Sequence, residues 1–362
     1  MHSSLYRRAP AAPALLALAL ALACSRGASP APTTAPAASP AASAGGQATA
    51  APAANAAAPT APPRREAVRF PYSALSMAQL PHWITYDAGL YEREGLDVTM
   101  DYVASSTVLA PALLSGEIGL AYAGQEVAIA SGVQGGDMVI VGGGIDKPLF
   151  WLTTMPSIHS PDDLRGKRIG VTRFGASSDT VLRFYLGTVG LQPDRDVTIL
   201  QMGGNPEMVG GLQSGAIDGA ILSPPSVFQA QRNGAVVLAD MGDLDYPFYQ
   251  DAITTTRRFL ADRPDVVRRV VRAFAQGWKL MKDEQTALAA LRHYSGETDE
   301  DLLLQTYQAG VNRFPESPVP RAEPIAMGLK QLALKQPEAA QYTADQFILP
   351  DDMAAAWASV SR

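Results

Sequence analysis

The chain reads as a two-lobe α/β protein, and three observations carry that reading. Its body, from about residue 66 to residue 362, is near 300 residues long, a size that ordinarily divides into two cores. Short apolar strand patterns alternate with helical ones from residue 67 to residue 238, as in a parallel sheet covered on both faces. The alternation also runs twice. Leu113-Leu114-Ser115-Gly116-Glu117-Ile118 and Leu212-Gln213-Ser214-Gly215-Ala216-Ile217 share a helix end, a Ser-Gly turn and a strand start.

Taken in order, Ala67 to Tyr72 alternates as a strand, and Ser73 to Gln79 is a loop. Pro81 to Leu90 is a helix with proline near its first position. Leu96 to Tyr102 is the next strand, and Ala104-Ser105-Ser106-Thr107 opens a helix through Leu114. A strand from Ile118 to Tyr122 leads through Ala123-Gly124-Gln125 into a helix ending at Ser131, and Met138 to Val141 is a strand running into Gly142-Gly143-Gly144. The second half places strands near 149–154, 168–172, 197–200, 219–222 and 235–238. Beyond Tyr246-Pro247-Phe248-Tyr249 the pattern turns helical. Val266, Val267, Val270, Val271, Phe274, Trp278 and Leu280 form the apolar stripe of a long packing helix.

The expected organisation is a first lobe from 66–148 and 250–362 and a second lobe from 149–249. Two segments precede the body. Residues 1–24 carry Arg7 and Arg8, an apolar run from Ala14 to Ala23 and then Cys24, without an acidic residue; this is an export signal whose apolar run is too short to span a bilayer. Leu22-Ala23-Cys24 resembles the lipobox of bacterial lipoproteins, which implies lipidation of Cys24, although Ala21-Leu22-Ala23 also suits ordinary signal cleavage. Residues 25–65 are almost entirely Ala, Pro, Ser, Thr and Gly; with no core-forming side chains they are expected to act as a tether of about 35 Å.

The net charge of −6 becomes −8 once the two leader arginines are removed, which argues against a nucleic-acid partner. Cys24 is the only cysteine, so the body depends on neither disulfides nor thiolate metal sites. No metal or cofactor is expected.

The most informative stretch is Asp162 to Thr180. A polar turn feeds the strand Arg168-Ile169-Gly170-Val171, which breaks at Arg173-Phe174-Gly175-Ala176 and resumes as a helix at Ser177. Ser177 and Ser178 stand where an N-cap is wanted, so the loop aims backbone N–H groups, two hydroxyls and a positive helix end at one point. Simple capping explains Ser177, Ser106 and Thr107 singly; their shared position beyond strand ends favours a pocket.

Three stretches together resemble one family: Gly89-Leu90-Tyr91-Glu92-Arg93-Glu94-Gly95-Leu96-Asp97-Val98, Leu113 to Leu120, and Asp163-Leu164-Arg165-Gly166-Lys167-Arg168-Ile169-Gly170-Val171. They look like the NMT1-like substrate-binding proteins of ABC importers for nitrate, sulfonates, taurine and thiamine-precursor pyrimidines. The resemblance implies a periplasmic-binding-protein fold of type II kind, whose two lobes close on a small molecule and present it to a permease and its ATPase. By position it implies ligand contacts at Ser76, Gln79, Ser106, Thr107, Gly124 and Gln125. Phe174, Ala176, Ser177 and Ser178 follow in the second lobe, with Ser223 and Pro224 across the cleft. Phe174 could stack on a planar ligand; Trp83 and Trp151 read as core. Gln125 suits a pocket or a solvated surface equally, and Asp146 reads as a hinge contact.

Ligand charge stays open. Helix N-termini favour an anion such as a sulfonate or nitrate, whereas an inward Asp179 or Glu126 would suit an amine or a heterocycle. An enzyme is not expected, because GxSxG, GxxxxGK[ST] and HExxH are all missing and the histidines at 2, 82, 159 and 293 lack metal spacing. The alternative output is a ligand-sensing lipoprotein. The expected protein is an exported, membrane-anchored monomer.

Overall fold

The computed structural model describes residues 65–348 together with Met353, Ala356 and Trp357. The leader, Cys24 and the tether up to residue 64 lie outside the described residues.

Strand and helix alternate from the start. β1 (Glu66–Arg69) pairs in parallel with β2 (Leu96–Thr99), and α1 (Leu80–Asp87) and α2 (Leu90–Arg93) lie between them in sequence. α3 (Ser106–Ser115) stops at Gly116, whose φ of 79° is the left-handed turn that the Ser-Gly pair allows. β3 (Leu120–Ala123), α4 (Gln125–Val133) and β4 (Met138–Gly142) complete this run. β5 (Trp151–Thr154), β6 (Arg168–Val171), α5 (Ser177–Thr188) and β7 (Thr198–Gln201) begin the second. α6 (Asn205–Gln213), β8 (Gly219–Leu222), α7 (Ser226–Arg232) and β9 (Val236–Asp240) follow. β10 (Ala252–Thr256) then precedes α8 (Arg257–Asp262), α9 (Pro264–Leu280), α10 (Glu284–Ser295), α11 (Glu300–Gly310) and α12 (Ala322–Ala333).

The strands assemble as two main sheets, one ordered β3-β10-β4 and the other β7-β6-β8-β5-β9. The sheets are mixed, which corrects the all-parallel expectation. β6 runs parallel to β7 and β8, but β5 is antiparallel to β8 and β9, and β10 is antiparallel to β3 and β4. The reason is topological. β5 and β10 follow the two crossings between lobes, so each enters its sheet from the end opposite to its neighbours. β10 is also the strand that the alternation pattern misses, because Ile-Thr-Thr-Thr is fully buried and shows no period of two.

The second sheet carries its own core, with Leu152, Ile169, Val171, Leu182, Leu186 and Ile221 buried together. The first lobe packs α9 against α1 through Val266, Val267, Val270, Phe274 and Trp278, each worth about 1.5–3 kcal/mol of burial. The helices approach closely at Gly277, where an added Cβ would lie 2.0 Å from Thr85 Oγ1. Trp83 is buried and stacks on Tyr294 at 4.9 Å, so it belongs to this core as expected.

Candidate functional site

The crossings place the C-terminal end of one sheet against that of the other, and the loops there enclose a cavity of about 40 Å³. The first lobe supplies Ser73 and Ala74, and Ser105 and Ser106 at the start of α3. The second lobe supplies Phe150, Thr172 and the Ala176-Ser177-Ser178 entry to α5, then Asn205 at the start of α6 and Ser223 after β8. Gln250 and Asp251, at the end of the return crossing, close it.

Each hydroxyl is positioned by a partner. Ser73 Oγ donates to Asp251 Oδ1 at 3.0 Å. Ser106 Oγ accepts from the Gly124 amide at 2.9 Å, tying α3 to the entry of α4. Asn205 Nδ2 donates to Ser223 Oγ at 2.8 Å. Ser178 Oγ accepts from the Thr172 amide at 3.0 Å and lies 2.9 Å from Thr172 Oγ1. Ser105 holds a φ of 77°, a left-handed conformation costly for serine; its amide donates to Ser73 O at 3.0 Å.

The simple-capping alternative for Ser177 does not hold. Ala176 occupies the N-cap position of α5, and Ser177 is the first helical residue. Its hydroxyl turns across the cleft, 3.1 Å from both carboxylate oxygens of Glu126 on α4 and 3.1 Å from Gln250 O. A capping role would have kept that side chain within the second lobe. Instead it joins the two lobes.

Two carboxyl groups dominate the electrostatics. Asp251 is 2% exposed, and burial pushes its carboxyl up to about 8, opposed by Gln79 and Ser73 and reinforced by the charge of Glu126. Burial between the lobes likewise pushes Glu126 up to about 7, against the hydrogen bonds offered by Ser177 and Ser106, although Glu126 as a whole residue retains some solvent exposure. No Lys, Arg or His lines the cavity, and among the described residues neither carboxyl has a cationic partner.

Of the residues singled out from sequence, Ser106, Ala176, Ser177, Ser178 and Ser223 meet at the cavity wall. The others stand elsewhere. Ser76 Oγ accepts from the Ala78 amide and starts a short 3-10 turn. Gln79 is wholly buried against Asp251, with neither amide atom in a hydrogen bond of good geometry among the described residues. Thr107 Oγ1 lies 3.2 Å from Ser105 Oγ and does not line the cavity. Gly124 donates to Ser106 and leaves room for the Ser177–Glu126 contact; a Cβ there would lie 2.3 Å from Ser177 Oγ.

Gln125 is buried, contrary to the solvated alternative: its Nε2 donates to Pro324 O at 2.9 Å and its Oε1 accepts from the Tyr249 amide at 3.0 Å, which clamps α12 to the return crossing. Phe174 is 47% exposed, with Arg183 over its ring at 5.9 Å, so it flanks the loop outside the cavity. Pro224 accepts from the Met77 amide at 3.0 Å, a second link between lobes. Asp179 faces away: it accepts from the Gly175 amide and pairs with Arg183 at 2.7 Å. Asp146 pairs with Arg321 in the crossing, as a hinge contact should.

Ser73 opens the loop that holds Ser76 and Gln79, and Ser105 adjoins Ser106, so both stand beside residues expected to touch ligand, whereas Phe150, Thr172, Asn205, Gln250 and Asp251 were missed. The signal for Asp251 was present: an acid directly before a wholly apolar and threonine strand has no solvent to face.

The family model described as NMT1/THI5 like matches residues 80–287, more than half of the chain. The chain belongs to this family. A protein of Brucella abortus (strain 2308), named provisionally as a binding protein, is 26% identical over 211 residues; the match covers 56% of this chain and 64% of that protein. The chain thus spans less than two thirds of the length of the curated relatives it matches. Among solved structures, a protein of Bordetella bronchiseptica RB50 superposes with a TM-score of 0.74 at 20% identity, covering 83% of this chain and 99% of the other. The alkanesulfonate-binding protein SsuA of Xanthomonas axonopodis pv. citri, bound to MOPS, gives 0.65 at 19% identity over 79% and 99%. The periplasmic nitrate-binding protein NrtA of Synechocystis PCC 6803 gives 0.66 at 14% identity over 82% and 89%. The family's fold is therefore the two-lobe fold of periplasmic binding proteins.

Proposed function

We propose that this protein is an extracytoplasmic solute-binding protein that captures a small organic molecule between its lobes and delivers it to an ABC permease and its ATPase. The observation that carries this reading is the cavity itself. It lies between two α/β lobes, is walled by hydroxyls from both, and is shut by a hydrogen bond from Ser177 on one lobe to Glu126 on the other. A side chain that bonds across a cleft only when the lobes meet couples occupancy to closure, and closure is the signal a permease can read.

The similarity to sulfonate- and nitrate-binding proteins supports the same role. In this account the leader exports the chain, lipidated Cys24 holds it at the membrane, and the tether of residues 25–65 lets a monomeric body reach its permease.

Thermal unfolding of the full chain against sulfonates, nitrate, aliphatic amines and pyrimidines tests the capture step. A solute present at 100 times its dissociation constant stabilises the native state by about 2.7 kcal/mol, a readily measured rise in melting temperature. A melting temperature unmoved by every class counts against solute capture.

A further inference from the structure

Resting on the solute-capture reading, we infer that the solute presents a compact aliphatic ammonium group to Asp251 and Glu126, so that the cavity selects a small cation and rejects anions. The first support is the pairing deficit. Asp251 lines the cavity, is 2% exposed, and has Ser73 as its hydrogen-bond donor. Glu126 reaches the same wall through Ser177. A buried carboxylate without a cation is costly, and a cation brought by a solute removes that cost.

The second support is independent of the acids. Gln79 is 0% exposed and lies against Asp251, and neither of its amide atoms makes a hydrogen bond of good geometry among the described residues. The buried Tyr122 hydroxyl, close enough to sense the Asp251 charge, is also unpartnered. Buried polar atoms left unpaired in a native fold call for a hydrogen-bonding guest. An ammonium offers three donors, which matches acceptors at Asp251, the Gln79 carbonyl and the serine hydroxyls.

The helix N-termini around the cavity do not argue for an anion here. α4, α5 and α6 each carry an acid in the first turn, Glu126, Asp179 and Glu207, which already answers the positive helix end. An anion would instead meet two carboxyl groups at close quarters. The lining also argues for an aliphatic group, since Phe150 is the one aromatic side chain in it and offers no opposed partner for stacking a flat ring.

A cation entering the cavity favours the ionised form of both carboxyls, so binding releases protons near neutral pH, and affinity rises with pH. The groups facing Asp251 are Ser73, Gln79, Tyr122 and Glu126; those facing Glu126 are Ser106, Ser177, Tyr246 and Asp251. Burial holds both tyrosines protonated throughout this range, which leaves the two carboxyls as the titrating pair.

The test is isothermal titration of the full chain with butylamine, 1,4-diaminobutane, methanesulfonate and nitrate, each at pH 6 and pH 8 and in two buffers of different ionisation enthalpy. We expect saturable binding of an amine, at least tenfold tighter at pH 8, with net proton release. Asp251→Asn should weaken that binding at least tenfold while remaining folded, since an amide is close in size to the carboxyl it replaces and carries no charge; Glu126→Gln should reduce the proton release, and Asp251→Asn should reduce it further. Saturable binding of methanesulfonate or nitrate and of neither amine overturns the inference and leaves solute capture standing. Amine binding that survives Asp251→Asn with unchanged affinity and pH dependence overturns the inference as well. Failure of all four probes to bind overturns it and counts against the capture reading too.

Discussion

The Ser177 hydroxyl lies 3.1 Å from both carboxylate oxygens of Glu126, so the first residue of α5 in one lobe bonds to the first turn of α4 in the other. Ser177 has a single proton, and Gln250 O also lies 3.1 Å away. If Glu126 is protonated, its own hydroxyl donates to Ser177 while Ser177 donates to Gln250 O. All three groups are then satisfied, so protonation of Glu126 is compatible with the link between the lobes.

Ser177→Ala removes this link without leaving a void in either core. Folding stability is expected to change by about 1 kcal/mol or less, while the closed form loses about the same amount relative to the open form. Small-angle scattering should therefore report a larger radius of gyration for the variant than for the wild type, with unchanged circular dichroism.

The raised carboxyl of Asp251 fixes the sign of a pH effect. Between about pH 4 and about pH 8 the folded chain keeps a proton that the unfolded chain has lost. The group's contribution to stability thus falls as pH rises through that window, by at most about 1.4 kcal/mol per pH unit. Asp251→Asn removes this slope. Urea unfolding at pH 5 and pH 8 should show the variant gaining on the wild type at the higher pH.

Two glycines at the cleft separate packing from latching. At Gly144 an added Cβ would lie 1.9 Å from Asp251 O, a backbone atom that cannot yield, so Gly144→Ala should displace the crossing and cost about 1–3 kcal/mol. At Gly124 the obstructing atoms are the mobile tips of Glu126 and Ser177, at 2.2 and 2.3 Å. Gly124→Ala should leave the unfolding midpoint nearly unchanged and reproduce the scattering behaviour of Ser177→Ala.

A brace stands behind the hinge. Arg313 donates to Asp240 at 2.9 Å, and its guanidinium lies 4.5 Å from the Trp151 ring centre, joining the residues after α11 to β9 and β5. Arg313→Ala is expected to cost about 1–2 kcal/mol, and Arg313→Lys to recover only part of it, because lysine cannot pair with the carboxylate and cover the ring at once. Thermal unfolding of both variants measures the difference.

Much of this was legible in the sequence. The alternation of strands and helices, the Ser-Gly helix ends and the α9 stripe are local signals, and their elements form within a few residues of the expected bounds. Ser106 and Ser177 could be marked because they follow strand ends. What local pattern could not supply was direction across the cleft. Ser177 could equally be a cap until Glu126 is brought opposite it, and Gln125 suits a pocket or a solvated surface equally until α12 covers it. Asp251 directly precedes a strand that pairs with partners more than 100 residues earlier, so its burial is set by topology and not by its neighbours in sequence.

The central claim, that a solute closes the lobes, is tested most directly by the distance between them. Spin labels at Leu114→Cys and Arg195→Cys, both exposed and on opposite lobes, report it in a chain whose Cys24 is replaced by serine. Titration with the amine that binds most tightly is predicted to shift the distance distribution to a single shorter population, and Ser177→Ala to raise the amine concentration required. A distribution unmoved by saturating solute would contradict the account.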